Sequence, residues 1–192
     1  MNQPSYVVTF DQQLAERAGG ASFDGGAHVG TIIEAKFVTA RSGTKGVELT
    51  FESESGQKFN YLSMYYQKSD GQPVKSGMNC LNAIMFFLKI SGITARQSGQ
   101  DYLCPELIGK RVGLFLQKRL YTKNDGSDGF DFSIRAPFHP DTKQTVKECT
   151  GNIPALSVEK WVESYSDNDE RKQSVGGVAP ANQFPDDDIP GW

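Results

Sequence analysis

Seven residues at the end of the sequence combine acidic and apolar side chains in one short motif. Three consecutive aspartates occupy positions 186–188 and precede Ile189, Pro190 and Trp192. A run of carboxylates beside apolar anchors suits a partner with an apolar pocket ringed by Lys and Arg, and a C-terminal carboxylate adds to this mode of capture. A solubilising tail would explain the aspartates but not an exposed tryptophan. The residues expected to contact such a partner are Asp186, Asp187, Asp188, Ile189, Pro190 and Trp192.

A second set of residues combines aromatic rings with cations. Binding of single-stranded nucleic acid requires cations that follow the phosphates and aromatic faces on which bases stack. The predicted stacking rings are Tyr61, Tyr65, Phe115 and Tyr121. The predicted phosphate contacts are Lys36, Arg41, Lys45, Lys58, Arg111, Arg119, Lys123 and Arg135. Packing in the core is the alternative for each ring, and Lys58 and Arg119 are better explained as solvated charges.

The net charge of −3 conceals a separation of charge along the chain. Residues 27–150 carry 16 Lys and Arg against 12 Asp and Glu, whereas residues 151–192 carry 3 against 8. A basic body joined to an acidic tail is typical of a polyanion-binding protein that also carries an interaction tail. Ordinary scatter of surface charge also produces such an excess, so the charge supports this interpretation without deciding it.

Hydrophobic periodicity predicts the elements that must position these residues. Spacings of three and four, seen in Leu81, Ile84 and Leu88, predict a helix over residues 78–90. A shorter helix is expected near Trp161. Alternation with a period of two predicts five strands. They cover residues 29–38, 47–52, 58–66, 110–121 and 130–135.

This order of elements is that of an OB-fold, a mainly β, five-stranded, partly open Greek-key barrel with one helix between strands three and four. A small β-sandwich is the alternative. The chain is divided into an N-terminal extension (residues 1–26), the OB-fold domain (27–165), and a disordered linker with an acidic tail (166–192), where apolar residues are few. Nucleic acid would cross the second and third strands, between the loops at 41–46 and 122–129.

The tip resembles the C-terminal end of bacterial single-stranded DNA-binding proteins, in which Asp-Asp-Asp-Ile-Pro-Phe closes a disordered linker. Residues 186–190 match, Gly191 is inserted, and Trp192 replaces the final Phe. The body lacks the tryptophans with which bacterial members stack bases, and it is more similar to phage-encoded members of this type. The resemblance implies non-sequence-specific binding of single-stranded DNA, with proteins of replication, recombination or repair recruited through the tip, in the bacterial cytoplasm.

Few residues suit catalysis or a cofactor. His28 and His139 are the only histidines, and neither lies in a catalytic or phosphate-binding motif. A turn is a better explanation of His139 and Asp141 than a metal site. The three cysteines lack the spacing of metal ligands and are expected to be reduced. We therefore expect no enzyme, cofactor or metal, and composition predicts neither a membrane span nor a secretory signal.

Two alternatives from other classes remain at this level. The first is an OB-fold adaptor that binds protein rather than DNA. The second is a nuclease or recombination enzyme built on Asp125, Asp128 and Asp131. The sequence also leaves a homo-oligomer open.

Overall fold

A computed structural model describes residues 24–171. The strands are β1 (Gly26–Thr39), β2 (Lys45–Ser53), β3 (Lys58–Gln67), β4 (Arg96–Ser98), β5 (Asp101–Leu103), β6 (Arg111–Thr122), β7 (Asp128–Phe138) and β8 (Asn168–Asp169). The helices are α1 (Lys75–Leu88), α2 (Val146–Gly151) and α3 (Ser157–Glu163). Among the described residues, none of the helices combines the length and apolar composition that a membrane span requires. The N-terminal extension up to residue 23 and the acidic tip lie outside the described residues.

Strand β1 is the centre of one open sheet because it pairs with three other strands. One edge of β1 pairs with β2, while the other edge pairs with β6 in its first half and with β5 at Lys36 and Phe37. The sheet continues from β2 to β3 and from β6 to β7, and these pairings are antiparallel. Within the described residues no ladder joins β3 to β7, so the sheet remains open between them.

The mainly β prediction is confirmed, and the five predicted strands correspond to β1, β2, β3, β6 and β7. A short hairpin of β4 and β5, which was not predicted, follows α1. Its residues are exposed except for the half-buried Leu103, so the hairpin has no apolar alternation by which the sequence could signal it.

The main core lies between the inner face of the sheet and α1. Val47, Leu49 and Phe51 of β2 are completely buried there, and Leu81 and Ile84 of α1 pack against them. Helix α1 approaches β3 so closely that a Cβ at position 77 would lie 1.8 Å from the carbonyl oxygen of residue 65. Only a glycine allows this approach, which fixes the helix against the sheet.

Bulges interrupt the alternation on which the predicted faces depended. In β1 the register shifts between Ile32 and Glu34, so that Ile32 and Ala35 both point into the core although an odd number of positions separates them. Strict alternation over the predicted strand 29–38 would place these two residues on opposite faces. An extra residue in one strand reverses the facing of every side chain beyond it, and periodicity alone does not locate such a residue.

A second core lies on the opposite face of β6. Phe115 is 0% exposed and packs against Phe138, Val158 and the edge of Trp161, whose ring centroid lies 5.6 Å away. The prediction of Phe115 as a stacking ring is therefore wrong. Val158 and Trp161 of helix α3 cover this ring, which the sequence analysis had expected to face the nucleic acid.

The folded unit extends beyond the boundary predicted at residue 165. Residues 168 and 169 form β8, which pairs in parallel with β6. Arg171 forms an ion pair with Asp128 at 3.2 Å, and Glu170 forms one with Arg119 at 3.3 Å. The segment up to residue 171 is thus attached to the β6–β7 hairpin rather than belonging to the linker.

Glu148 connects α2 to α3. In a capping box, its Oε2 accepts a hydrogen bond from the Thr145 amide at 2.8 Å. Its Oε1 accepts hydrogen bonds from the amides of Leu156 at 3.0 Å and Ser157 at 2.8 Å. Burial of Glu148 opposes its ionisation, but these hydrogen bonds prevail and lower its pKa from 4.5 to about 2. The position of α3 over Phe115 therefore depends on an ionised carboxylate.

Replacement of this carboxylate is expected to change the pH dependence of stability. A lowered pKa in the folded chain gives a contribution that is present above a pH of about 4.5 and is lost as the pH falls toward about 2. We expect Glu148→Gln to lower the free energy of unfolding at pH 7 by about 1–3 kcal/mol. It should also flatten the loss of stability in acid, measured by thermal unfolding. Glu159→Gln, at an exposed site on α3, is the control, and equal acid sensitivity in both variants would contradict this role.

Candidate nucleic-acid interface

The surface with the most suitable chemistry is the outer face of β1, β2 and β3, which points away from α1. Strand register arranges its side chains in rows that run across the three strands. One row contains Val38, Gly46 and Tyr65, the next contains Lys36, Glu48 and Ser63, and the third contains Glu34 and Thr50 beside Tyr61. We call this surface the outer face.

Tyr61 is exposed by a β-bulge in β3. Leu49 pairs with Leu62 and Phe51 pairs with Phe59, so two residues of β3, Asn60 and Tyr61, lie opposite the single residue Thr50 of β2. Tyr61 has a φ of 61°, in the left-handed region that non-glycine residues seldom adopt, and its ring is 76% exposed. A bulge commonly redirects a side chain next to a functional site. The ring is thus presented to solvent by a backbone conformation that costs free energy.

Tyr65 provides a second ring on the same face. A Cβ at Gly46 would lie 2.9 Å from Cδ1 of Tyr65, so the absence of a side chain at Gly46 leaves room for this ring. Tyr65 remains 38% exposed. Both tyrosines predicted to stack on bases in β3 are therefore accessible.

A cleft of about 470 Å³ lies between the outer face and the β4–β5 hairpin. Lys36 is 3.7 Å from both Glu48 and Asp101, and the Thr50 hydroxyl donates to Glu34 at 3.2 Å. Three carboxylates thus accompany a single ammonium group. Lys36, predicted to contact phosphate, is instead engaged with carboxylates. The charge of the cleft repels phosphate and attracts donors such as the amino groups of bases or a basic peptide.

Cations gather at one end of the outer face. Arg41 lies in the turn between β1 and β2, and Lys45 is the first residue of β2. This turn meets the loop after β3, where a Cβ at Gly43 would lie 2.9 Å from Cβ of Ser69. This loop also carries Lys68. Within the described part of the chain these cations form no ion pair at 4.0 Å or less. We call Arg41, Lys45 and Lys68 the basic end.

Two of the predicted phosphate contacts serve the fold instead. Arg111 donates to Asp141 at 2.5 Å and to Glu54 at 2.8 Å, and these hydrogen bonds, Asp141 first, raise its pKa. Arg119 pairs with Asp131 and Glu170. Their charges are neutralised locally, so both assignments as phosphate contacts are corrected.

The β6–β7 hairpin forms a separate group of rings and cations. Arg119 lies over the half-buried ring of Tyr121 at 5.3 Å, and the exposed Lys123 lies near the same strand end. Phe130 is 50% exposed, with Lys118 Nζ 5.4 Å from its ring centroid. Sequence reasoning missed Phe130 because it alternates in phase with Phe132 and Ile134, which are half-buried against the main core. The remaining predicted cations are both exposed away from the basic end: Lys58 at the start of β3, and Arg135 on β7.

The aspartates proposed for a nuclease do not converge on one site. Asp125 accepts hydrogen bonds from the amide and the hydroxyl of Ser127 at 3.0 and 2.7 Å. Asp128 and Asp131 form ion pairs with two different arginines. No cluster of His, Cys, Asp and Glu suited to a metal occurs among residues 24–171.

His139 lies in a turn, as the sequence analysis favoured. Its Nδ1 accepts hydrogen bonds from the amides of Asp141 and Thr142, both at 3.2 Å. Cys80 and Cys104 are free thiols, and burial raises the pKa of each to about 12. These two thiols are therefore protonated and suited to packing.

Comparison with protein-family models and with curated protein sequences found no match for this chain. The candidate site is therefore argued from geometry and charge. The partner-binding residues of the tip lie outside the described residues, and their role stays a prediction.

Replacement of Tyr61 is expected to leave the stability of the fold nearly unchanged, whereas replacement of a core ring should lower it. Tyr61→Gly removes a mostly exposed ring and suits the left-handed backbone, so we expect the free energy of unfolding to stay within about 1 kcal/mol or to rise. Phe115→Ala, the contrasting variant, should lose about 3–5 kcal/mol because it empties a core site. Thermal and denaturant unfolding provide the measurement. A large loss in Tyr61→Gly would show that this ring supports the fold.

Proposed function

We propose that residues 24–171 form an OB-fold domain that binds single-stranded DNA without sequence preference. The pairing of β1 with both β2 and β6, together with a helix that follows β3 in the chain, supports a partly open Greek-key barrel. No ladder joins β3 to β7 within the described residues, but Phe59 of β3 contacts Phe132 of β7 edge-on, with 5.0 Å between the ring centroids. This contact supports closure of the barrel between β3 and β7 by side chains.

The observation that carries the proposal is the position of two exposed tyrosines beside cations that form no ion pair with any other residue of 24–171. Tyr65 lies opposite Gly46, one residue from Lys45 of the basic end, and Tyr61 lies two rows further along the outer face. Stacked bases and phosphate-binding cations are the two requirements of single-strand binding. Bases would stack on Tyr65 and Tyr61 while the phosphates follow the basic end.

The acidic cleft favours one orientation of the bound DNA, with its bases turned toward the cleft and its phosphates away from it. Glu34, Glu48 and Asp101 repel phosphates from the cleft, so the backbone would run along its rim with the bases turned inward. A duplex presents phosphates on its outside and hides its base faces in the stack. The combination of a negative cleft and exposed rings therefore favours single strands.

The tip supports the second part of the proposal, recruitment of partner proteins. Three aspartates, Ile189 and Trp192 fit an apolar pocket ringed by cations. Their resemblance to the tips of single-stranded DNA-binding proteins favours partners from replication, recombination or repair, in the bacterial cytoplasm.

One observation favours a second candidate, an adaptor domain that binds protein. The same cleft of about 470 Å³, with three carboxylates and one lysine, also fits a Lys- or Arg-bearing peptide segment. Under this alternative the outer face binds a basic peptide, and DNA affinity is weak.

The first test is a fluorescence titration with oligothymidine. If the three cations of the basic end each neutralise one phosphate, the logarithm of affinity should fall with the logarithm of salt concentration at a slope near −2, about −0.7 per phosphate. Duplex of equal length should bind more weakly. Affinity for duplex above that for oligothymidine, or no dependence on salt, would contradict the proposal. Saturable binding of a lysine-rich peptide without DNA binding would instead establish the adaptor.

The second test locates the site with matched variants. Tyr65→Ala should lose about 1–3 kcal/mol of binding to oligothymidine if its ring stacks on a base. The double variant Arg41→Gln and Lys45→Gln should reduce the salt slope by about 1.4. Tyr102→Ala, at a half-exposed ring on β5, and Lys160→Gln on α3 are the controls for ring and charge. Equal losses of affinity for oligothymidine in the variants and the controls would show that the binding site does not lie on the outer face.

A further inference from the structure

Helix α1 has an exposed surface without charge. No residue between Lys75 and Lys89 is charged. Exposed positions recur at helical spacing at Asn79, Asn82 and Phe86, and Phe86 is 45% exposed. A solvated helix face ordinarily carries charged side chains, whereas loss of charge with aromatic and Met residues is typical of the centre of a protein interface. The composition of α1 therefore indicates a surface that binds protein.

A groove of about 440 Å³ follows this surface from α1 to α2. Its apolar lining comprises Ala83, Met85, Phe86, Ile90 and Val146. The residues of α1 that face the main core, among them Leu81 and Ile84, lie on the other side of the helix. The groove is therefore separate from the outer face of the sheet.

Two lysines are the direct chain neighbours of residues that line the groove, Ile90 and Val146. Lys89 follows α1 directly, and Lys147 adjoins Val146 in α2; both are exposed and form no ion pair at 4.0 Å or less within residues 24–171. Glu148 is the only acidic residue of the two helices, and its carboxylate is buried and hydrogen-bonded. An apolar groove flanked by lysines thus requires an occupant that is apolar and acidic.

We infer that this groove binds the acidic tip of the same chain, residues 186–192. Trp192 and Ile189 supply apolar groups for the lining, and the three aspartates supply charges opposite to those of Lys89 and Lys147. No other stretch of the sequence outside residues 24–171 combines three adjacent carboxylates with a tryptophan. The groove withholds the tip from partner proteins until a stronger binder displaces it.

The chain is long enough for this contact. Fourteen residues, 172–185, separate Arg171 from Asp186, and when extended they span up to about 50 Å. A folded unit of this size has a radius of gyration of about 15 Å, so the segment reaches any part of its surface. Linkage within one chain produces effective concentrations in the millimolar range, at which a weak contact is populated. The inference does not rest on DNA binding.

Fluorine NMR of the full chain labelled with 5-fluorotryptophan tests the contact. The sequence contains two tryptophans, and Trp161 lies in the second core, so Trp192→Phe assigns the resonances. We expect the Trp192 resonance to differ from that of the free heptapeptide Asp-Asp-Asp-Ile-Pro-Gly-Trp. In Phe86→Ala and in Lys147→Glu it should shift to the free-peptide position. Tyr102→Ala and Lys160→Glu, the ring and charge controls, should leave it in place.

Three results would overturn the inference. The first is a Trp192 resonance at the free-peptide position in the unmodified chain. The second is a resonance that responds to Tyr61→Ala rather than to Phe86→Ala, which places the tip on the outer face. The third is a shift that disappears on dilution, which places the tip on a second copy. Thermal unfolding verifies that Phe86→Ala is folded, and Lys147→Glu supplies the same test without removing an apolar side chain.

Discussion

The pairing of β1 with three strands is the constraint on which the rest of the structure depends. Its contact with β2 along one edge, and with β6 and β5 along the other, brings the two halves of the chain into one sheet. The same strand buries Ile32 and Ala35 in the core and presents Lys36 on the outer face. The core and the candidate site therefore lie on opposite faces of β1, so a shift of this strand would move the residues of both.

Ion pairs decide which cations remain for a ligand. Arg111, Arg119 and Arg171 hold loops and the segment after α3 to β6 and β7, each through two carboxylates. These contacts occupy two of the eight cations predicted to contact phosphate, Arg111 and Arg119. Arg41 and Lys45 of the basic end form no ion pair within residues 24–171, and the turn between β1 and β2, residues 40–44, contains no acidic residue. Distribution of charge, rather than net charge, thus determines the direction in which a phosphate backbone is attracted.

Burial in the second core explains why Phe115 is inaccessible to a ligand, whereas Tyr61 and Tyr65 of the predicted site are exposed. Phe115 lies under α3, and α3 is positioned by the hydrogen bonds of Glu148. Tyr61 and Tyr65 both lie on β3, and no helix of residues 24–171 covers the outer face of this strand. The same physical effect, removal of apolar surface from water, selects the rings that stabilise the fold and leaves the others exposed.

The sequence by itself determined five of the strands, the main helix and the turn at His139, because local periodicity and turn chemistry depend on neighbouring residues. It also predicted Tyr61, Tyr65, Arg41 and Lys45 as a candidate binding set, and the structure shows these four side chains exposed. Only the tertiary structure decided which faces are buried. An inserted residue at a bulge reverses the facing of a strand, as at Ile33, and a helix distant in sequence covers a face that alternation marks as exposed, as over Phe115. Both effects arise from contacts between residues far apart in the chain, which periodicity does not record.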